Sequence, residues 1–210
     1  MTTLAQAERA ALCDLAAELG PNEPTLCEGW DTRHLMAHLV LREGHPSSLS
    51  LAVPGGARLS DWFTQRWADK DYDSLVGTFR KGAPLYSPMA IAKVDALVNG
   101  MEFFVHHEDI RRAQPDWEPR ELSLKTQNAL WRAVRMGSKL MLRSLDFGVL
   151  AARSDTGATA PLKIAEPNIV IQGLPSEIAL FVYGRQDHAR VTLDGDPDLI
   201  AKAKGQDLGV

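Results

Sequence analysis

The chain has 210 residues, 45% of them hydrophobic and 24% charged, with a formal net charge of −4. That length fits one large domain, or one domain with a small appendage, and supplies enough apolar material for a core without cross-links. The interspersed acids and bases exclude the basic stripe of a nucleic-acid binder, and no stretch approaches the roughly 20 apolar residues of a membrane span.

The N-terminal MTTLAQAERAAL lacks the basic start and long apolar run of a secretory signal. Thr3 followed by Gln6 is a capping-box pattern opening a helix through Leu12, Leu15 and Leu19, which Gly20-Pro21 stops. Asp31 or Thr32 can cap the next helix, HLMAHLVLREG, which must end near Gly44 and Pro46. Shorter helices are expected around Leu59–Lys70 and Asp73–Lys81. Ser87 with Pro88 marks a helix start, because proline's missing N–H costs nothing in the first turn. From there MAIAKVDALVNGMEFFVHHEDIRRA runs to about Ala113. Ser123 opens another long helix, with Leu130, Val134, Met141 and Leu142 at three- and four-residue steps. After about Leu145 the texture changes. FGVLAARSD, PLKIA, NIVIQG and ARVTLDG are short, β-branched or alternating stretches bounded by turn residues. A helix PSEIALFVYG sits among them, and PDLIAKAKG forms a last one. The expectation is a mainly α chain: a helical bundle over 1–145 and a small α+β domain over 146–210.

Glu102 breaks the apolar run of NGMEFFVHHEDIRRA. At about 100° per residue, Glu102 and His106 project from one face, a turn apart, with Asp95 and Asp109 on the same side. The helix is apolar nearly all round from Leu97 to Val105, which predicts burial. A buried carboxylate is expensive without a partner. Either a cation or an arginine such as Arg132, Arg135 or Arg143 would serve. On the second helix His34, His38 and His45 lie within about 40° of one line. His38 sits deepest among leucines. If the two helices are neighbours, His38, Glu102 and His106 make a three-ligand set with an open position, the pattern of catalytic zinc. The competing reading is a hydrogen-bonded core histidine and a salt-bridged glutamate.

GWDTRHLMAHL together with NGMEFFVHHEDIRRA resembles the metal-binding helical domain of mycothiol-dependent maleylpyruvate isomerases, within the wider superfamily of DinB-like four-helix bundles. Trp30, the Ala37-His38-Leu39 context, and Glu102 with His106 carry the resemblance. The tail GLPSEIALFVYGRQDHARVTLDGD is similar to the family's small C-terminal domain. The resemblance implies a divalent ion, zinc for preference, on His38, Glu102 and His106, and mycothiol as a thiol cosubstrate. It also implies reversible thiol addition to a conjugated double bond, with Arg185 offered to a carboxylate-bearing substrate. A planar guanidinium suits that role. Arg185 is equally read as an arginine favouring the dipole at a helix end. His107 and the charged EDIRRA that follows depart from the isomerase pattern and place the chain on a separate branch. His107, about 100° round from His106, is expected to be a second-layer or surface residue. Glu108, Arg111 and Arg112 are expected to form a solvated charge face.

Cys13 and Cys27 are the only cysteines. They make neither a disulfide framework nor a four-sulfur metal site, and a reducing, cytoplasmic home is the simplest reading. Cys27, at a loop before Glu28-Gly29-Trp30, is placed where it could approach the metal, and reads more simply as a small buried thiol. Trp62, Trp67, Trp117 and Trp131 read as core or inter-domain contacts. The functional expectation is a metal-dependent isomerase or transferase using a low-molecular-weight thiol and a small-molecule substrate, as a monomer or homodimer. The alternatives are a non-catalytic metal-binding or stress-associated protein with a structural ion, and a metal-free helical interaction protein.

Overall fold

The computed structural model describes residues 2–44, 56–84, 86–87 and 92–209, with backbone alone over 56–60 and 92–98. His45, Pro88 and the side chain of Asp95 lie outside the described residues. Contacts divide the chain into two compact units, Met1–Pro119 and Arg120–Val210.

In the N-terminal unit, Thr3 opens α1 (Leu4–Leu19) with the expected reciprocal box. Its side chain accepts from the Gln6 N–H while Gln6 reaches back to the Thr3 N–H. Asp31 caps α2 (Thr32–Gly44) by accepting from the His34 N–H at 3.0 Å. After α3 (Gly56–Ala68), Asp71 caps α4 (Tyr72–Lys81) through the Ser74 N–H. The long α5 (Ala92–Arg112) completes the unit. Helix α1 packs on α5 and α4, and α2 packs on α3 and α4. One core joins them: Leu12, Cys13 and Ala16 of α1, Leu35, Met36 and Leu39 of α2, Leu75 and Phe79 of α4, and Phe103 and Ile110 of α5. Burying side chains of this size is worth roughly 1.5–3 kcal/mol each, so core packing dominates capping as the source of stability. Glu102 therefore sits on a helix whose neighbours Phe103, Phe104 and Val105 are all almost fully buried.

The C-terminal unit begins with α6 (Leu124–Met141), capped by Ser123. Strands β1 (Gly148–Arg153), β2 (Thr159–Lys163), β3 (Asn168–Gly173) and β4 (Thr192–Asp194) form one sheet in the order β2-β1-β3-β4. The β1–β3 pair is parallel and the two outer pairs are antiparallel. Helix α7 (Pro175–Val182) is buried along its whole length, a short 3-10 turn covers Gln186–His188, and α8 (Pro197–Gly205) ends the unit. Every strand and helix expected after Leu145 is present. The mainly α architecture with a small α+β part is the expected one.

The division between the units falls one helix earlier than the composition change near 145 suggests. Helix α6 packs on α7 and β2. Gln127 of α6 accepts from the Ser176 N–H at 3.0 Å and donates to the Ser176 hydroxyl at 3.2 Å, answering the first turn of α7. Ser138 donates to the Leu162 carbonyl at 2.9 Å, tying α6 to β2. Periodicity identifies an apolar face on α6 but does not say which element covers it.

Removing the Gln127 amide leaves buried polar groups at the start of α7 unanswered. Gln127→Ala is expected to destabilise the chain by about 1–3 kcal/mol, read as a lowered denaturant midpoint at unchanged slope. A midpoint equal to that of the unsubstituted chain would show that the pair contributes nothing.

Candidate metal centre

His38, Glu102 and His106 meet. His38 comes from the third position after Leu35 on α2, and Glu102 and His106 from successive turns of α5. Their donor atoms lie within 4.8 Å of one another. Glu102 Oε1 is 3.3 Å from His106 Nε2 and 3.9 Å from His38 Nε2. The two imidazole rings stand edge to face with centroids 5.4 Å apart. Bonds of about 2.0–2.2 Å in a tetrahedral shell place nitrogen and oxygen ligands roughly 3.4 Å from each other. The His106–Glu102 separation matches this, and the His38–Glu102 separation is wider by about half an ångström. Two neutral imidazoles and one carboxylate with an open fourth position suit zinc or a neighbouring first-row ion. The residues present therefore fit a divalent ion.

A fourth side chain shares the site. Arg42, one turn beyond His38 on α2, places Nε 3.0 Å from the same Oε1 of Glu102. The arginine beside Glu102 is thus Arg42, and not Arg132, Arg135 or Arg143. Arg42 also donates to the Asn99 side-chain oxygen, and Asn99 donates to Glu43 at 3.3 Å. Glu43 forms a two-pronged pair with Arg9 of α1. Arg9 lies over the rings of Phe79 and Phe103, 4.9 and 4.8 Å from their centroids. The site is therefore the half-buried end of a polar chain running into the core.

His106 is held from behind. Its Nδ1 is 2.9 Å from Asp109 Oδ2, and Asp109 is fully buried. When Nδ1 carries the proton it donates to Asp109 and leaves Nε2 as the acceptor that faces Glu102 and His38. Such carboxylate–histidine pairs fix the tautomer and ring orientation of a metal ligand. The Cys27 thiol donates to the same Asp109 oxygen at 3.3 Å and lies 3.9 Å from His106 Nδ1. Trp30 packs on His38, ring centroids 5.0 Å apart. Asp109 was placed on the correct face by helical spacing. Its role follows from being three residues past His106, a signal present in the sequence.

Burial lowers the pKa of His38. Burial pushes Glu102 up, but the charge of Arg42 and hydrogen bonds from His106 and His38 overcome it and hold the carboxyl well below its ordinary range. Burial likewise pushes His106 down, yet hydrogen bonds to Asp109, Cys27 and Glu102 raise it well above 6.5. In the metal-free protein His106 is thus an imidazolium between two carboxylates.

The remaining candidates fall elsewhere. His34 turns back to Asp31, Nδ1 to Oδ1 2.6 Å. His107 is buried and pairs with Glu8 of α1 at 2.8 Å, so it serves the α1–α5 contact. Glu108 and Arg112 do pair within the helix, at 2.6 Å, but both are buried, and Arg112 lies over the Trp117 ring. The expected solvated face is absent because α1 and the segment near Leu26 cover this end of α5. The Leu26 N–H donates to the Asp109 carbonyl there. Cys27 is only half-buried. Trp131 is buried and Trp67 packs on the core, whereas Trp62 is 55% exposed. In the C-terminal unit, Arg185 follows Gly184, whose φ of +85° and whose close approach to the Leu208 carbonyl, 2.6 Å from where a Cβ would sit, require glycine. Arg185 donates to the Tyr183 carbonyl at 2.6 Å.

The raised pKa of His106 has a defined sign. The folded metal-free protein binds a proton that the unfolded chain releases near 6.5. This contribution to stability is complete below 6.5 and is lost as pH rises through the higher folded value. Denaturation of metal-free protein across that window should show stability falling with pH on this account, and the fall should vanish in His106→Gln. An equal fall in both proteins would assign it to another group.

No protein-family model matches the chain, and comparison with curated proteins finds no relative. Two crystal structures do match. One is that of a mycothiol-dependent maleylpyruvate isomerase, at a TM-score of 0.59 and 15% identity. The other is a histidine-to-alanine variant of such an isomerase, at 0.63 and 13%. Each match covers 92% of this chain and 96% of the other. The chain has the fold of the mycothiol-dependent maleylpyruvate isomerases.

Proposed function

We propose that the protein is a divalent-metal-dependent enzyme that acts with a low-molecular-weight thiol, mycothiol or a relative, as an isomerase or transferase on a small carboxylate-bearing substrate. The observation that carries this is the convergence of His38 Nε2, Glu102 Oε1 and His106 Nε2 within 4.8 Å. The fold shared with two mycothiol-dependent isomerase structures supports the choice of cosubstrate. These three residues would hold the ion, which would supply a Lewis acid able to keep a thiol ionised near neutral pH. Asp109 holds His106 in the tautomer whose Nε2 can coordinate. Trp30 covers one face of His38 and limits water there. Arg42 balances the charge of Glu102 and keeps it ionised. In the isomerase form of the reaction, a thiolate adds to a conjugated double bond. The resulting single bond rotates, and the thiolate leaves with the double bond re-formed. A proton is gained at the carbon next to the carbonyl and then given up, so the thiol is regenerated. Arg185 is assigned as the carboxylate partner from the sequence resemblance alone.

A second reading has its own observation. Arg42 Nε, 3.0 Å from Glu102 Oε1, already supplies a cation to the half-buried carboxylate. A helical protein without an ion is consistent with that pair.

Elemental analysis separates the two. His38→Ala and His106→Ala should each reduce zinc uptake from one equivalent to background while far-ultraviolet circular dichroism stays helical. Full metal content in both variants refutes the assignment. Asp109→Asn should weaken affinity by about 10–100-fold.

Arg185→Lys keeps the charge and loses the planar fork. It should raise KM for a dicarboxylate on the order of tenfold with a smaller effect on kcat. An unchanged KM would leave Arg185 as a helix-end residue.

A further inference from the structure

His106 stands between two donor sets. Nε2 faces Glu102 and His38, whereas Nδ1 faces Asp109 and Cys27. We propose that Cys27 Sγ, His106 Nδ1 and Asp109 Oδ2 form a second cation site, selective for thiophilic ions such as Cd2+, whose occupation excludes an ion from the His38–Glu102–His106 site.

The three donor atoms also lie within 4.8 Å of one another. Their separations are 2.9 Å for Nδ1–Oδ2, 3.3 Å for Sγ–Oδ2 and 3.9 Å for Sγ–Nδ1. A tetrahedral ion with about 2.3 Å to sulfur and 2.0–2.2 Å to nitrogen and oxygen spaces such atoms roughly 3.4–3.6 Å apart. The observed values bracket that range, and small side-chain rotations reach it. Backbone contacts hold the arrangement. The Leu26 N–H donates to the Asp109 carbonyl at 3.0 Å, fixing the segment before Cys27 on α5. The Cys27 N–H donates to Thr25 Oγ1 at 3.2 Å, the Thr25 hydroxyl donates to the Trp30 carbonyl at 2.8 Å, and the Trp30 N–H donates to the Cys27 carbonyl at 3.0 Å. Asp109 and His106 are buried and Cys27 is half-buried, so an ion reaches the cluster from the thiol side.

The donor chemistry separates the two sites. The first contains no sulfur. The second offers a thiolate, which favours soft ions over magnesium, calcium or manganese. Binding releases the Cys27 thiol proton and the His106 Nδ1 proton to solvent and leaves His106 a neutral imidazole protonated at Nε2. No group is oxidised. The Nε2–H then donates to Glu102, 3.3 Å away. A neutral imidazole has one lone pair, so His106 serves one site at a time. Cys13 does not compete: burial pushes its thiol up to about 11, and it points at the Val76 carbonyl.

The test titrates the full metal-free chain with Cd2+ and follows thiolate-to-cadmium charge-transfer absorption. His38→Ala removes a ligand of the first site alone, so the second site does not depend on the proposed function. The band is expected with one equivalent of Cd2+ in the unsubstituted chain, in His38→Ala and in Cys13→Ser, and is expected to be lost in Cys27→Ser. A band that survives in Cys27→Ser, or that is missing from His38→Ala while its circular dichroism matches the unsubstituted chain, overturns the proposal. Zinc and cadmium retained together at two ions per chain would overturn the exclusion. Loss of zinc uptake with the band intact in His38→Ala would leave the second site standing whatever the first one does.

Discussion

The N-terminal unit is organised around the problem of keeping the Glu102 carboxylate charged inside apolar surroundings. Moving such a group out of water costs several kcal/mol even after relaxation. Helix α5 is apolar on most sides at this level, with Phe103 and Phe104 buried beside Glu102. Three donors on two helices compensate: Arg42, His38 and His106 all approach the same oxygen. Two of the three are in turn answered. Arg42 rests on Asn99, and His106 rests on Asp109. The cluster is a balanced set of two carboxylates and two cations in the absence of an ion. A divalent ion entering it must displace positive charge that is already there.

That balance extends away from the site. Asn99 also contacts Glu43, and Glu43 holds Arg9 across to α1. Arg9 is buried, stacked between two phenylalanines, and donates to the Phe79 carbonyl at 3.0 Å. Polar residues thus link α1, α2, α4 and α5 through the middle of their contact. Such pairs need not add net stability over an apolar core. They do require one register between the helices, since a shift of one residue would strand a buried charge.

Much of this was legible in the sequence, for local reasons. The i, i+4 spacing of Glu102 and His106, and the line of histidines on α2, are properties of a single helix. Capping by Thr3, Asp31 and Ser123 likewise depends on three or four neighbouring residues. What the sequence left open depends on which helices touch. Arg42 is as close to Glu102 as any residue, yet nothing in its own helix says so. The burial of Glu108 and Arg112 depends on what packs against that face of α5, such as the Trp117 ring beside Arg112. The grouping of α6 with the sheet depends on Gln127 meeting Ser176. A period gives the direction of a face, and the partner of that face is settled only by the packing of the chain.

The separation between ligands along the chain has a bearing on biogenesis. His38 leaves the ribosome well before Glu102, and α1 finds its main packing partner only when α5 has been made. Until then the apolar faces of α1 and α2, and the buried Arg9 and Glu43 between them, lack a complete setting. The contacts of α2 with α3 and of α1 with α4 can form earlier, but the face of α1 that meets α5 stays uncovered until α5 is made, a stage at which exposed apolar surface invites aggregation. Translation speed and chaperone access over that interval thus bear on the yield of this protein.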